Sequence, residues 1–316
     1  MRRIVNYACA DFCEFRCKLG RCASAGREGA ALQIGAVISS VTSKKLHLDD
    51  NSRRILTVCG MGATFSALFG TPFGACIFVV EVIRNIRFGV KSFIPALISS
   101  FTAYAIANAS GVPAERFELN TVPALSFSLI LKIAVTALAV SFTGFLFCHI
   151  LHFSEDKAEK LIKNPFVRIF LGGTIIVILS LATGNNDYNG GGIFVIERIF
   201  EEGEVYPFAF LLKILFTVIS VSSGFKGGEI VPSLFIGATA GGAFSAVTGI
   251  PVSLSAATGM ASMLSAATKC PLAVCILCAE MFGIDGIIFF IIAAIIGTFT
   301  SGKTSLFRKK EVMVIK

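Results

Sequence analysis

Apolar residues in this chain come in long blocks. Neither the two-residue alternation of a half-buried strand nor the narrow stripe of a soluble helix describes it. Runs at about 124–147, 166–183, 207–222 and 284–300 approach the roughly 17–25 residues with which a helix crosses a hydrocarbon core. Runs at 55–69, 72–83, 252–267 and 271–283 are shorter and bounded by Gly or Pro. Such segments predict re-entrant or strongly tilted helices covered by neighbours. The pattern predicts an all-α, polytopic membrane protein with broken and re-entrant helices.

One apolar stretch is interrupted. Gly224, Gly227 and Gly228 should stop a helix arriving from Phe208–Val221, and Pro232 suits the first turn of a new one. A fresh helix N-terminus near Glu229–Pro232 would present unpaired N–H groups and a positive dipole end, which suit an anion in a dry setting. Broken helices of this kind build substrate sites near the bilayer midplane.

The same device occurs earlier. Gly26–Ala36 aligns without gaps on Gly228–Ala238, an offset of 202 (228 minus 26). Gly60-Met61, Ser66-Ala67, Pro72, Cys76-Ile77 and Glu81 return as Gly259-Met260, Ser265-Ala266, Pro271, Cys275-Ile276 and Glu280, an offset of 199 (259 minus 60). Two related halves, each opening on a broken helix, imply an inverted repeat with a shared site. The expected organisation is a leader at 1–25, which one reading makes artefactual, a first half at 26–110 and an extracytoplasmic link at 111–123. A second half at 124–300 and a final helix with a basic cytoplasmic tail at 301–316 complete it.

Composition supports a membrane setting: mean hydropathy is +0.79, and only 15% of residues are charged. The net charge of +8 reads as topology and not as affinity for nucleic acid. Basic residues gather at Lys44-Lys45, Arg53-Arg54, Arg84/Arg87/Lys91 and Arg308–Lys310, acidic ones at Glu115/Glu118 and Glu201-Glu202/Glu204. The positive-inside rule puts the first set in the cytoplasm and the second outside, in the cell membrane. Most of the ten cysteines sit in apolar runs and give no disulfide framework. Cys9, Cys13 and Cys17 would share a helix face, with Cys22 following, but their spacing fits no common zinc or cluster signature. No metal, cofactor or catalytic residue is expected.

Gly26-Arg27-Glu28-Gly29, Gly228-Glu-Ile-Val-Pro232 and Gly60…Pro72…Glu81 together resemble the CLC chloride channels and anion/proton antiporters, over about residues 24–307. The resemblance implies that Glu28 is the gating, protonatable glutamate whose carboxylate competes with an anion. Backbone at Arg27, Glu28 and Gly29, and at Gly228, Glu229 and Ile230 ahead of Pro232, would hold the ion. It further implies a pore-lining aromatic at Phe307 and a homodimer in the bilayer. From the residues alone, a carboxylate flanked by glycines in an apolar context must be either protonated or held by N–H donors. Arg27 and Lys226 could draw anions to the mouths. The Glu229 side chain should point away from the ion while its backbone coordinates.

The chain departs from the family pattern in places. Ala30 replaces a proline and Ile230 a phenylalanine. Val82 stands where transporting members carry an inner glutamate, and Phe307 where a tyrosine hydroxyl lines the pore. The family's Gly-Ser-Gly-Ile-Pro loop is absent with the helices ahead of it, so the chain is expected to be truncated at its N-terminus and to transport poorly. The expected function is transmembrane movement of a small inorganic anion, chloride first, as a channel or as an anion/proton antiporter. A fluoride/proton antiporter is one alternative, because Gly-Gly-Glu-x-x-Pro resembles that branch. A non-conducting membrane subunit is another. A membrane NTPase is the third, resting on Gly297–Thr304, which fits a phosphate-loop pattern without a nucleotide fold around it.

Overall fold

The computed structural model describes residues 23–82, 86–302 and 304–307, with twelve α-helices. Cys9, Cys13, Cys17, Cys22, Arg84, Lys303 and Arg308–Lys310 lie outside the described residues. In the first half, α1 runs Glu28–Lys45, α2 Asp50–Phe69, α3 Pro72–Val82 and α4 Ile86–Ala109. In the second, α5 runs Phe127–Leu161, α6 Pro165–Thr183, α7 Ile193–Glu201 and α8 Ala209–Ser223. They are followed by α9 (Ile230–Thr248), α10 (Val252–Thr268), α11 (Pro271–Phe282) and α12 (Ile287–Thr300). Residues 301, 302 and 304–307, placed by the sequence in a final helix, form a turn, irregular backbone and a bend.

Local chemistry sets these boundaries. The Asp49 carboxylate accepts the N–H groups of Asn51 and Ser52 at the start of α2. Ser126 caps α5 through the Leu129 N–H, and Asn164 caps α6 through the Phe166 N–H. Lys44 and Lys45 fall in the last turn of α1, where cations complement the dipole. Gly224, at φ +97°, ends α8 as the interrupted stretch predicts.

Among the described residues, four stretches are long and apolar enough to cross a membrane: Lys91–Ala109, Phe127–Leu161, Pro165–Thr183 and Ile230–Thr248. At 35 residues, α5 would reach about 52 Å, well past a core of about 30 Å, so it must tilt or project. Phe127, Phe166, Phe170 and Leu181 are largely exposed, as befits surfaces facing lipid.

The centre is the α9–α10 pair. Every residue from Ile230 to Gly242 and from Ser253 to Thr268 is buried, so neither segment has a solvent face. α10 packs on α5 and α12, and α9 on α8 and α5. The pair comes close because side chains are missing at the crossing: a Cβ on Gly241 would stand 3.0 Å from the Gly259 Cα. Ser255 Oγ donates to the Gly241 carbonyl at 2.6 Å across the same contact. In the first half the corresponding crossing joins α1 to α2, where a Cβ on Gly35 would stand 2.8 Å from the Gly60 carbonyl carbon. Gly35 and Gly60 correspond to Gly237 and Gly259 in the repeat, and a Cβ on Gly237 would likewise meet the Gly259 carbonyl oxygen at 2.8 Å.

The two halves also exchange caps. Glu280 of α11 accepts the N–H groups of Phe73 and Gly74 at the start of α3, at 3.1 and 2.7 Å. Glu81 of α3 accepts those of Leu272 and Ala273 at the start of α11, at 3.4 and 2.8 Å. Each carboxylate comes from the C-terminal part of one helix and closes the N-terminus of the other, so α3 and α11 run antiparallel. The repeat is therefore a pseudo-two-fold relation, with Glu81 and Glu280 as partners.

Candidate anion site

The two glycine-rich motifs meet in space. The Gly26 N–H donates to the Gly228 carbonyl at 2.7 Å, and the Gly228 N–H donates back to the Gly26 carbonyl at 2.6 Å. Two residues beyond each glycine a helix begins: α1 at Glu28 and α9 at Ile230. The first turns of both helices, whose N–H groups have no intrahelical acceptor, therefore converge. Pro232 occupies the first turn of α9 with a fixed φ. Closeness again depends on missing side chains, since a Cβ on Gly29 would stand 2.9 Å from the Gly228 Cα.

The Glu28 side chain lies over this junction and is buried. Its Oε1 accepts the Arg27 N–H at 3.2 Å, and its Oε2 has no hydrogen-bond partner. The carboxylate fills the space that two absent side chains leave: a Cβ on Gly26 would collide with Oε2, and one on Gly228 would stand 3.0 Å from it. The carboxyl group thus sits where two positive helix ends converge. Glu229 is the N-cap of α9, partly exposed, and its side chain makes no capping bond to that helix.

The predicted site residues Arg27, Glu28, Gly29, Gly228, Glu229, Ile230 and Pro232 therefore belong to two adjoining helix starts. Phe307 is positioned differently: the Leu306 N–H donates to the Ala267 carbonyl near the end of α10, and the Phe307 ring packs on the main core. His152 Nε2 lies 2.8 Å from the Ser305 carbonyl and ties this segment to α5. Gly297–Thr300 form the last turn of α12, with a Cβ on Gly297 blocked by the Ser262 carbonyl. Helix, not strand, leads into them, so the phosphate-loop pattern lacks its required setting.

Two neighbours of the junction carry no motif. Lys213 on α8 is fully buried. Its Nζ donates to the carbonyls of Tyr188 and Gly190 at 3.0 and 2.7 Å and lies 4.9 Å from the Phe235 ring centroid. Glu28 is its charged neighbour. A lone lysine inside the apolar run 207–222 is the sequence signal that would have singled it out. The loop it holds packs on the first motif, because the Gly190 N–H donates to the Ala23 carbonyl. Ser24, two residues ahead of the expected start of the first half, bonds to Ser220 and Thr217 on α8.

The second neighbour is Glu115, in the link between α4 and α5. Its Oε1 lies 3.5 Å from the Arg27 guanidinium, and its backbone N–H donates to the Phe69 carbonyl at the end of α2. Burial pushes its carboxyl up to about 7, against the pull of Arg27 and with a smaller push from Glu197. Both members of the pair line a cavity of about 1100 Å³ with Arg116, Asn189, Gly191 and Glu197. In sequence Glu115 stands with Glu118 as an acidic marker of topology, and no spacing links it to Arg27.

The chain is thus a polytopic α-helical membrane protein whose two halves bring broken-helix N-termini together beneath a glutamate. The family model described as "Voltage gated chloride channel" matches residues 6–302, and the chain belongs to that family. It is 29% identical over 296 residues to a "Chloride/fluoride channel protein" of Pseudomonas syringae pv. tomato, covering 92% of this chain and 65% of that relative. It is 28% identical over 233 residues to the "H(+)/Cl(-) exchange transporter ClcA" of Vibrio campbellii, covering 70% of this chain and 49% of the relative. A solved CLC-type fluoride/proton antiporter superposes with a TM-score of 0.86 at 32% identity, covering 90% of this chain and 72% of that one. The chain thus spans about half to two thirds of the curated relatives' length.

Proposed function

We propose that the chain moves a small inorganic anion across the cell membrane at the junction of the two glycine-rich motifs, with Glu28 as gate and proton carrier. The observation that carries this reading is the Glu28 carboxylate lying over the Gly26–Gly228 bridge, at two converging helix ends. While ionised, the carboxylate occupies the positive end of each dipole. Once protonated it gives up that electrostatic advantage, and an anion held by backbone N–H groups near Glu28–Gly29 and Glu229–Ile230 replaces it. Arg27 draws anions to the outer mouth, and Phe307 is the aromatic of the inner pore. Exchange of anion for proton follows from one carboxylate serving both.

Chloride is the anion expected from the sequence. Fluoride is the second reading, favoured by the Gly228-Glu-Ile-Val-Pro232 form and by the 32% identity over 90% of the chain to the fluoride/proton antiporter. We place the Lys44/Arg53 end in the cytoplasm and the link bearing Glu115 outside. A second copy of the chain is the partner proposed for the exposed apolar flanks of α4 and α12, where Ile94, Ile98, Ile288 and Ile295 stand uncovered. The test is flux from vesicles loaded with chloride or fluoride and followed by ion-selective and pH electrodes. The wild-type protein should release one or both anions and take up protons against their gradient, while Glu28→Gln should release anion with proton uptake at baseline. Proton uptake undiminished in Glu28→Gln would overturn the gate assignment, and no anion release above empty vesicles would overturn the transport reading.

A further inference from the structure

The outer cavity brings one more carboxylate to the gate. Glu115 is fixed from two sides: its backbone is tied to the end of α2 through Phe69, and its carboxylate faces Arg27, the residue before the gate. Its side chain is only 13% exposed, whereas that of Arg27 is 57% exposed to the cavity. The charged groups around it are Arg27 and Glu28 at the start of α1, Arg116 beside it in the link, and Glu197 on α7. Glu280 of α11 acts on Arg116. The Asp187–Arg198 pair, closed at 2.7 Å, neutralises itself nearby.

We propose that Glu115 is a positioning residue for the outer mouth: ionised, it holds and neutralises Arg27, and protonated, it releases the guanidinium to attract anions toward the Glu28 junction. The charge count gives the sign. Four charged side chains line the cavity, Arg27 and Arg116 against Glu115 and Glu197, and they cancel. Protonating Glu115 leaves the mouth with one net positive charge, beside an arginine whose partner can no longer accept an ionic hydrogen bond. The step adds a proton from outer water to a carboxylate oxygen and breaks only the Arg27 ion pair. Because its carboxyl is raised to about 7, ionised Glu115 dominates above that pH and the protonated form below it. Anion affinity at the mouth therefore rises as external pH falls, independently of the gate.

This rests on the transport reading, and equilibrium binding separates the two. Chloride and fluoride are titrated calorimetrically into the purified full chain carrying Glu28→Gln, which removes the gate's own titration, at about pH 5.5 and about pH 8.5. Affinity should be about tenfold higher at the lower pH, the order expected of one unit charge removed at several ångströms in a wet cavity. Adding Glu115→Gln should hold the affinity near the low-pH value at both pH values, and adding Arg27→Gln should lower it to about the parent's high-pH value at the lower pH and below that value at the higher one. An equal pH ratio with and without Glu115→Gln overturns the inference and leaves the transport reading intact. If neither anion binds any variant, the transport reading fails. The infrared band of the protonated carboxyl then decides on Glu115: a band lost in Glu115→Gln, with a midpoint that rises in Arg27→Gln, supports the ion-pair switch. A midpoint unmoved by Arg27→Gln overturns it.

Discussion

The Glu28 carboxylate can lie over the junction because three residues around it have no side chain. Gly26 and Gly228 leave the space that Oε2 fills, and Gly29 lets the start of α1 reach the Gly228 backbone. A methyl at Gly228 would meet the Gly29 backbone nitrogen and the carboxylate together, and both segments are tied by the two hydrogen bonds of the bridge. Gly228→Ala should therefore destabilise by about 1–3 kcal/mol, as overpacking does, and should abolish anion binding in whatever fraction folds. Full affinity in a folded Gly228→Ala protein would show that the bridge is not part of the site. Lys213 makes a different kind of contribution. Removing its ammonium leaves the buried Tyr188 carbonyl and the half-buried Gly190 carbonyl without their donor, so Lys213→Met should cost about 1–3 kcal/mol. The loss should appear as a lower unfolding temperature in detergent, and an unchanged temperature would mean that those carbonyls find water.

Among the elements, α3 and α11 are held by exchanged caps whose energies can be separated. The two capping contacts lie at opposite ends of helices of 11 and 12 residues, about 16–18 Å long. Sites that far apart with no shared partner are additive. Glu81→Ala and Glu280→Ala should each cost about 1 kcal/mol, as lost helix caps do, and the double variant about twice that. A double variant no worse than either single one would mean that the helices separate when the first cap is lost. These glutamates also show what the sequence disclosed. Glu81 and Glu280 are legible as repeat partners because both lie in the offset of 199, yet nothing in their spacing says that each reaches the other's helix. The broken helix ending at Gly224 and restarting at Ile230 was readable because glycine and proline act through their own backbones. The Arg27–Glu115 pair was not, since 88 residues (115 minus 27) separate its members and only the folding of the link onto α2 brings them together.

For the molecule as a whole, repeat positions join the halves at Gly26 with Gly228 and at the caps that Glu81 and Glu280 give each other's helices, while Gly35–Gly60 and Gly237–Gly259 are matching crossings inside each half. Backbones approach closely where these small residues meet, while the outer helices leave large apolar side chains exposed. The class of fold was legible because uninterrupted apolar blocks leave few alternatives to helices in a bilayer. The anion was not, because backbone N–H groups at a helix end carry no side-chain signature of chloride or fluoride. On the proposed reading, the Glu28 carboxylate and an anion compete for the same two helix ends. Its most direct test is calorimetric titration of fluoride and of chloride into the purified full chain, wild type against Glu28→Ala, at one pH. Removing the carboxylate should tighten binding of at least one anion by about tenfold or more, since a charged competitor is gone from a poorly solvated site. Equal affinities in the two proteins, or weaker binding in Glu28→Ala, would contradict it.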